Sequence, residues 1–465
     1  MGECLTSRYF AIYLSIFGSF GEADIYVTIG VSVERVLKAY MICLFAMEIP
    51  LHSMSLQECI GYARKHAIVL EKGRNELKLS ALSVESASLE RYGELNLVAD
   101  YNHYNTPRTL APLTPTVMQS GIPIAESKNI FSVGFSYTLP IFTGFAQMRK
   151  MEMEGLSSKI AGMKLHLIEE ELIYNVRSLY LSGLMQMEML KGQKRYTTAL
   201  EKLVSTIEED VKLGKKAEID LLKARNDLQN SRTMEITFES NILSLRAALE
   251  ALIGKDPGRF EKVDVSPEKP SALVNMERDR ISSLERIDIE SMAVQKAEKM
   301  VHRSEASKLP QVDLTLYAGK NYGRDTAHSL GIENEDIYDI HLHARWNLFD
   351  FGKRDIAVQK ARIAVMQSRL KREERIDSVR KMLKSAYASL KASYASYKGT
   401  LSKLALSEKT ERIEAVRYDS GVSTIDDLLL AKARTQMDRA KMIESRYGYL
   451  KSLYYIDYIL EKGRR

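Results

Sequence analysis

Phe131-Ser132-Val133-Gly134-Phe135-Ser136-Tyr137-Thr138-Leu139-Pro140-Ile141-Phe142-Thr143-Gly144-Phe145 returns in altered form 207 residues later, as Tyr338-Asp339-Ile340-His341-Leu342-His343-Ala344-Arg345-Trp346-Asn347-Leu348-Phe349-Asp350-Phe351-Gly352. In the first stretch Phe131, Val133, Phe135, Tyr137, Leu139 and Ile141 alternate with Ser132, Gly134, Ser136 and Thr138. In the second Tyr338, Ile340, Leu342, Ala344, Trp346 and Leu348 alternate with Asp339, His341, His343, Arg345 and Asn347. A period of two marks strands with one apolar and one polar face. Both copies present the same face.

The offset of 207 holds downstream, where Gly214, Asp220, Leu221, Leu222 and Ala224 fall on Gly421, Asp427, Leu428, Leu429 and Ala431. Upstream, Leu95 and Leu97 align with Val312 and Leu314 at an offset of 217. The extra residues of the first copy fall in 106–127, where Pro107, Pro112, Pro115, Gly121 and Pro123 give turn and loop chemistry; the counterpart 323–334 is shorter. An internal duplication therefore organises the chain. The first repeat spans 54–261, with strands at about 93–105 and 129–141, a long helix at about 143–207 and a returning helix at about 215–254. The second spans 262–465, with strands at about 311–322 and 336–349 and helices at about 350–414 and 424–462.

Apolar alternation backed by Asp, His, Arg and Asn suits a barrel wall with lipid outside and water inside, and it also suits a soluble sheet packed on a core. Four strands of about ten residues span a bilayer but cannot close, since small barrels need about eight, and open edges are not tolerated in lipid. Several chains must then share one barrel, and three would supply about twelve strands. The helices fit a shared wall as well. No proline interrupts 143–207 or 350–414, enough for roughly 95 Å of helix at about 1.5 Å per residue. Leu383, Tyr387, Leu390, Tyr394, Tyr397, Leu401 and Leu404 form a heptad seam. Small residues between them, such as Ala388, Ala392 and Ser396, leave room for a second neighbour. The competing reading is a soluble coiled-coil scaffold with a small β cap, which accounts for the seam and not for two duplicated hairpins.

Composition excludes other classes. Hydrophobic residues make up 45% of the 465 and charged ones 28%, so the bulk folds. The net charge of +6 is interspersed, without the basic block that nucleic acid binding uses. Cys4, Cys43 and Cys59 form neither a metal-binding pair nor a disulfide framework. Two short apolar stretches, Tyr9–Phe20 and Ala39–Met47, each resemble a signal-peptide core and are too short to span a membrane. Residues 1–53 are accordingly expected to be a signal or extra N-terminal segment, with the true start downstream of Met1 and cleavage near Ser53. No phosphate loop, nucleophile elbow or metalloprotease signature is present, so no enzyme, cofactor or metal is expected. His341 and His343 share one side of a strand and are read as structural or lumen-lining, because only Asp339 has a fixed relation to them. Met148, Met151, Met153, Met185, Met187 and Met189 are read as helical filler.

Several motifs in order resemble the TolC-like outer-membrane efflux proteins: Ser55-Leu56-Gln57-Glu58 opening the first helix, Arg286-Ile287-Asp288-Ile289, Leu309-Pro310 before a strand, the strand ends and the tips. The resemblance runs from about Ser55 to the C-terminus. It implies a mainly α protein with a transmembrane β part. As a homotrimer this forms a 12-stranded β-barrel in outer-membrane lipid, continuous with a 12-helix α-barrel tunnel in the periplasm. It also implies a periplasmic adapter and an inner-membrane pump as partners, in efflux or type I secretion. Family adapters contact the tips, here Leu213, Gly214, Gly421 and Val422. The family's periplasmic gate carries over to Asp220 and Asp427, with Tyr418 beside them, and the strand-to-helix junctions to Phe142, Gly144, Phe349 and Gly352. Leu430 stands where a further aspartate can complete a constriction, Ser423 where a gating arginine can occur, and Phe145 and Phe351 where the strand-end motif has glycine.

Overall fold

A computed structural model of the protein describes residues 53–115, 119, 125–263, 267–269, 281–324 and 331–463. The two N-terminal apolar stretches, Cys4 and Cys43 lie outside the described residues. A short strand β1 (Ser53–Met54) leads into α1 (Leu56–His66) and α2 (Ile68–Leu89). Then come β2 (Glu94–Thr109), β3 (Glu126–Phe142), the long α3 (Ala146–Lys212) and the returning α4 (Glu218–Ile253). After the short β4 (Arg259–Phe260) the second half repeats the pattern: α5 (Glu285–Ala306), β5 (Gln311–Arg324), β6 (Ile332–Arg345), α6 (Lys353–Asp419) and α7 (Ile425–Ile459). Ser55 starts α1 through a reciprocal capping box with Glu58, satisfying two backbone donors that a helix start leaves open.

β2, β3, β5 and β6 form one antiparallel sheet in that order, so the two copies meet at β3–β5. The register sets Leu97, Phe135, Ala318 and Tyr338 on one level and Leu95, Tyr137, Leu316 and Ile340 on the next, all on one face. β2 is longer than its alternation indicates, because a bulge between His103 and Arg108 absorbs Pro107 before pairing resumes to Thr109. β6 is shorter. The sequence pattern carries it to 349, yet it ends at Arg345, whose partner Gln311 follows Pro310. Proline has no N–H to extend the ladder, so Trp346 and Leu348 keep the period without belonging to the strand.

α3 and α6 are 67 residues each, about 100 Å long. Both start and end later than the uninterrupted sequence suggests, because the first residues after each strand form a left-handed turn. Around them the remaining helices form two tiers. Nearer the strands α2 packs on α3, α3 on α5, and α5 on α6; nearer the tips α4 packs on α3, α3 on α7, and α7 on α6. Each tier is a row of four helices ordered like the sheet.

Three apolar clusters hold the rows together. The largest surrounds Tyr180 at mid-height, where its hydroxyl lies 2.8 Å from the Met54 carbonyl and accepts the Glu261 N–H at 2.7 Å, tying the β1–β4 strap to α3. Cys59 is buried there, its thiol pushed up to about 11 by burial. A second cluster joins Leu200, Ile207, Leu221, Tyr418, Leu428 and Leu429 near the tips. A third joins Ile281, Leu284 and Ile287 to Ile376, Val379 and Ile459.

Candidate functional site

Among the described residues no element packs across the apolar face of the sheet, and on the polar face only Leu110 folds back, buried against Ser127 and Gly323. Leu95, Leu97, Phe135, Tyr338, Ile340 and Leu342 are exposed, Ile340 by 73%. The opposite face carries Glu94, Asn96, Asp100, Ser132, Asp313, Thr315, Glu335, Asp339, His341, His343 and Arg345. A soluble sheet buries its apolar face, and this one presents that face whole. Among the described residues its edge strands, β2 and β6, pair on their inner side alone.

The helical tiers end on the same two edges, α2 and α4 on the β2 side and α6 on the β6 side. On α6, Ile356, Ile363 and Leu370 and then Leu406 and Ile413 are exposed at intervals of seven; on α4, so are Leu222, Ile236 and Leu243, and on α2, Ile68, Leu82 and Leu89, on a seven-residue grid. These are unfilled heptad seams. Counting sevens on α6 beyond the Leu383–Leu404 stripe would have revealed them in the sequence.

Each strand turns into its long helix through two consecutive left-handed residues, Gly144 and Phe145 (φ 61° and 69°) in one copy and Phe351 and Gly352 (φ 57° and 83°) in the other. The phenylalanines thus adopt the conformation a glycine would, and the bend is kept. Stacking offsets part of the strain. Phe145 meets Phe142 edge-on at 5.3 Å, and Phe351 meets Phe349 at 4.7 Å. Gly144 has a second reason to be glycine, since a Cβ there would lie 2.5 Å from the Ala306 carbonyl.

At the far end, both long helices stop in the same way. Gly214 donates to the Val211 carbonyl and Lys215 to that of Asp210; Gly421 donates to Tyr418 and Val422 to Arg417. With φ at 71° and 73°, these are Schellman endings that satisfy the last carbonyls. Leu213 and Val422 project into solvent at the turns. Asp427 then caps α7: its Oδ2 accepts from Thr424 Oγ1 at 2.7 Å and Thr424 N at 3.1 Å. Those bonds hold its carboxyl below the ordinary range. A depressed carboxyl stabilises above its unfolded value of about 3.9 and loses that contribution as pH falls through the lower folded value, so it does not respond near neutrality. Asp220, its counterpart, follows Ala217, which has no capping hydroxyl.

Tyr418 is buried in the tip cluster with the Lys216 ammonium 3.5 Å above its ring. Leu430 is exposed. A contact invisible in the sequence joins the two returning helices here: Lys223 Nζ lies 2.6 Å from Asp426 Oδ2, and the bond raises the lysine above its usual range. Burial, and then the Asp426 charge, push the Asp227 carboxyl up. Two solvent-type charges 203 positions apart carry no periodic signal, so only the packing of α4 against α7 brings them together. Of the methionines read as filler, Met153 is buried and Met185, Met187 and Met189 lie against the largest cluster, whereas Met148 is 44% exposed. Among the described residues no helix is long and apolar enough to cross a membrane.

Residues 288–457 match the family described as outer membrane efflux protein, which bears out the resemblance read from the sequence. No curated protein matches the chain significantly. Solved structures match over nearly its whole length. They include CusC, described as forming a transmembrane channel, with TM-score 0.74 at 15% identity over 87% of this chain and 91% of that one. The CmeC outer membrane channel of Campylobacter jejuni matches with TM-score 0.71 at 14% identity, covering 88% and 86%. The outer membrane protein VceC of Vibrio cholerae matches with TM-score 0.68 at 15% identity, covering 87% and 96%. At such identities the likeness is one of fold.

Proposed function

We propose that three copies of this chain close head to tail into an outer-membrane export duct, a shared twelve-stranded barrel above a twelve-helix periplasmic tunnel. One observation carries this reading: sheet and both helical tiers are single rows of four that end on the same two sides of the chain, each side apolar and unpaired. A heterologous contact between such sides, repeated with closing rotation, forms a ring at every level at once. The duct conducts passively, from a periplasmic adapter and an inner-membrane pump to the exterior. Its polar face lines the water path. The test is a heat-resistant trimer in outer-membrane fractions that forms channels in planar bilayers; a detergent-independent soluble monomer supports the scaffold reading instead.

The tips are the docking surface for the adapter, with Leu213 and Val422 as apolar contacts and Gly214 and Gly421 shaping the turns. A Cβ at Gly421 meets nothing within 4 Å, so Gly421→Val acts through backbone strain of about 1–2 kcal/mol at the tip alone. We expect normal trimer abundance and reduced export, read by co-purification of the adapter; unchanged co-purification at equal abundance returns the tip to a purely structural turn.

Lys223 and Asp426 latch the entrance in its narrow state, with Asp220 and Asp427 beside them. In Lys223→Ala the open population should rise a few-fold, measured as single-channel conductance. The raised lysine keeps the latch charged below its ordinary pKa and loses it only as pH rises through the folded value, so conductance should climb in strongly alkaline buffer in the wild type and not in Lys223→Ala. Equal conductance in both proteins at every pH removes the latch.

A further inference from the structure

His341 and His343 left the sequence without a third metal donor, and the register of the sheet supplies one. Asp313 of β5 is the direct cross-strand partner of His343, and Thr315 is that of His341. All four side chains stand on the polar face, together with Asp339. We propose that this patch binds a divalent transition-metal ion of the zinc and cobalt type through His341, His343 and Asp313, with Asp339 orienting His341. The inference rests on the reading that this face lines a water-filled lumen.

The backbone already has the spacing such a site needs. Directly opposed Cβ atoms in an antiparallel pair lie about 4.5–5.5 Å apart, and residues two apart on one strand about 6.5–7 Å apart. Two imidazoles and a carboxylate at the corners of that triangle converge on one ion at about 2.0–2.2 Å, leaving the lumen side open to water. His341 Nε2 lies 3.2 Å from Asp339 Oδ1. The pair is not aligned as a hydrogen bond as the side chains stand; rotated into alignment, the carboxylate would fix the tautomer and leave the lone pair on the other nitrogen, as outer-sphere carboxylates do for metal-bound histidines. As the side chains stand, no three donors among the described residues are gathered into a metal-binding group. Both histidines are exposed, so rotation about χ1 and χ2 completes the set without moving the backbone. Two imidazoles with one carboxylate favour borderline metals over calcium or magnesium, which take oxygen donors.

The test is cobalt(II) titration of the detergent-purified full-length protein, followed by visible absorption and by competition with zinc. We expect one equivalent per chain, a d–d spectrum with nitrogen ligation, and affinity falling in His343→Ala and in Asp313→Asn by more than the roughly 10–100-fold that loss of an outer-sphere partner costs. Glu335→Gln, on the same face but farther along β6, should bind as the wild type does. Absence of binding by the wild type, or affinity unchanged in the His341→Ala, His343→Ala double variant, overturns the site. Metal-free conductance of each variant separates this from the duct reading: channels that conduct without binding cobalt refute the site alone, whereas protein that forms no channel refutes the lumen.

Discussion

Ile340→Arg should abolish the assembled trimer, while His341→Arg, one residue away, should leave it intact. Ile340 stands level with Leu95, Tyr137 and Leu316 on the apolar face, 73% exposed in the single chain. On a lipid-facing strand an arginine near the bilayer midplane costs about 2–4 kcal/mol, and threefold repetition makes that roughly 6–12 kcal/mol per barrel. A marginally stable assembly does not survive such a loss. His341 faces the polar side, where an arginine meets water and the carboxylates of Asp339 and Asp313. The contrast separates the two readings of an alternating strand. If the sheet were a soluble cap, its exposed isoleucine would gain solubility from a charge, and Ile340→Arg would be neutral or beneficial. Heat-resistant trimer in membrane fractions, compared between the two variants at equal expression, decides the matter; intact trimer in Ile340→Arg rules out the lipid-facing assignment.

What could be read from the sequence was whatever repeats. The second strand of each hairpin, the tip glycines and the long helices each occur twice at one offset, with the first strands shifted by a longer loop, and a doubled weak pattern becomes a strong one. Features set by a single partner stayed hidden. The end of β6 depends on Pro310, just before the neighbouring strand β5, and Trp346 and Leu348 keep up the alternation past that point. Phe145 and Phe351 conceal the left-handed residue that pairs with the glycine of each junction, because aromatic residues rarely take that backbone. Asp313 and His343 are 30 positions apart, and only the pairing of β5 with β6 makes them neighbours. Lys223 and Asp426 are hidden for the same reason. Asp427 shows the reverse limit: its position was legible, but a carboxylate at the third residue of a helix caps it whether or not it also narrows an entrance.

Arg286 is where a family-like motif turns out to support the wall. Leu284 at the N-cap of α5 supplies no side-chain hydrogen bond. Glu461, just past α7, takes that role from across the chain, accepting from Glu285 N at 2.7 Å and Arg286 N at 3.3 Å. The Arg286 guanidinium donates to the same carboxylate at 2.9 Å and to the Tyr458 carbonyl at 3.2 Å, with the two side chains only 5% and 12% exposed. Glu461 reaches this position on left-handed backbone, φ 56°. Arg286→Ala leaves a nearly buried carboxylate without its counter-charge, and breaking such a pair costs about 3–5 kcal/mol. We expect the protein to lose most of its folded abundance and to become protease-sensitive where the end of α7 meets α5. Removing both charges is different, because the desolvation of the pair disappears with them. Arg286→Met with Glu461→Gln keeps an amide oxygen for the Glu285 N–H, the shorter of the two backbone bonds, at the loss of the longer one, and should recover most of the abundance. If the double variant is as damaged as Arg286→Ala, the arginine is needed for more than neutralising Glu461, and its bond to the Tyr458 carbonyl becomes the tie that holds α5 to α7.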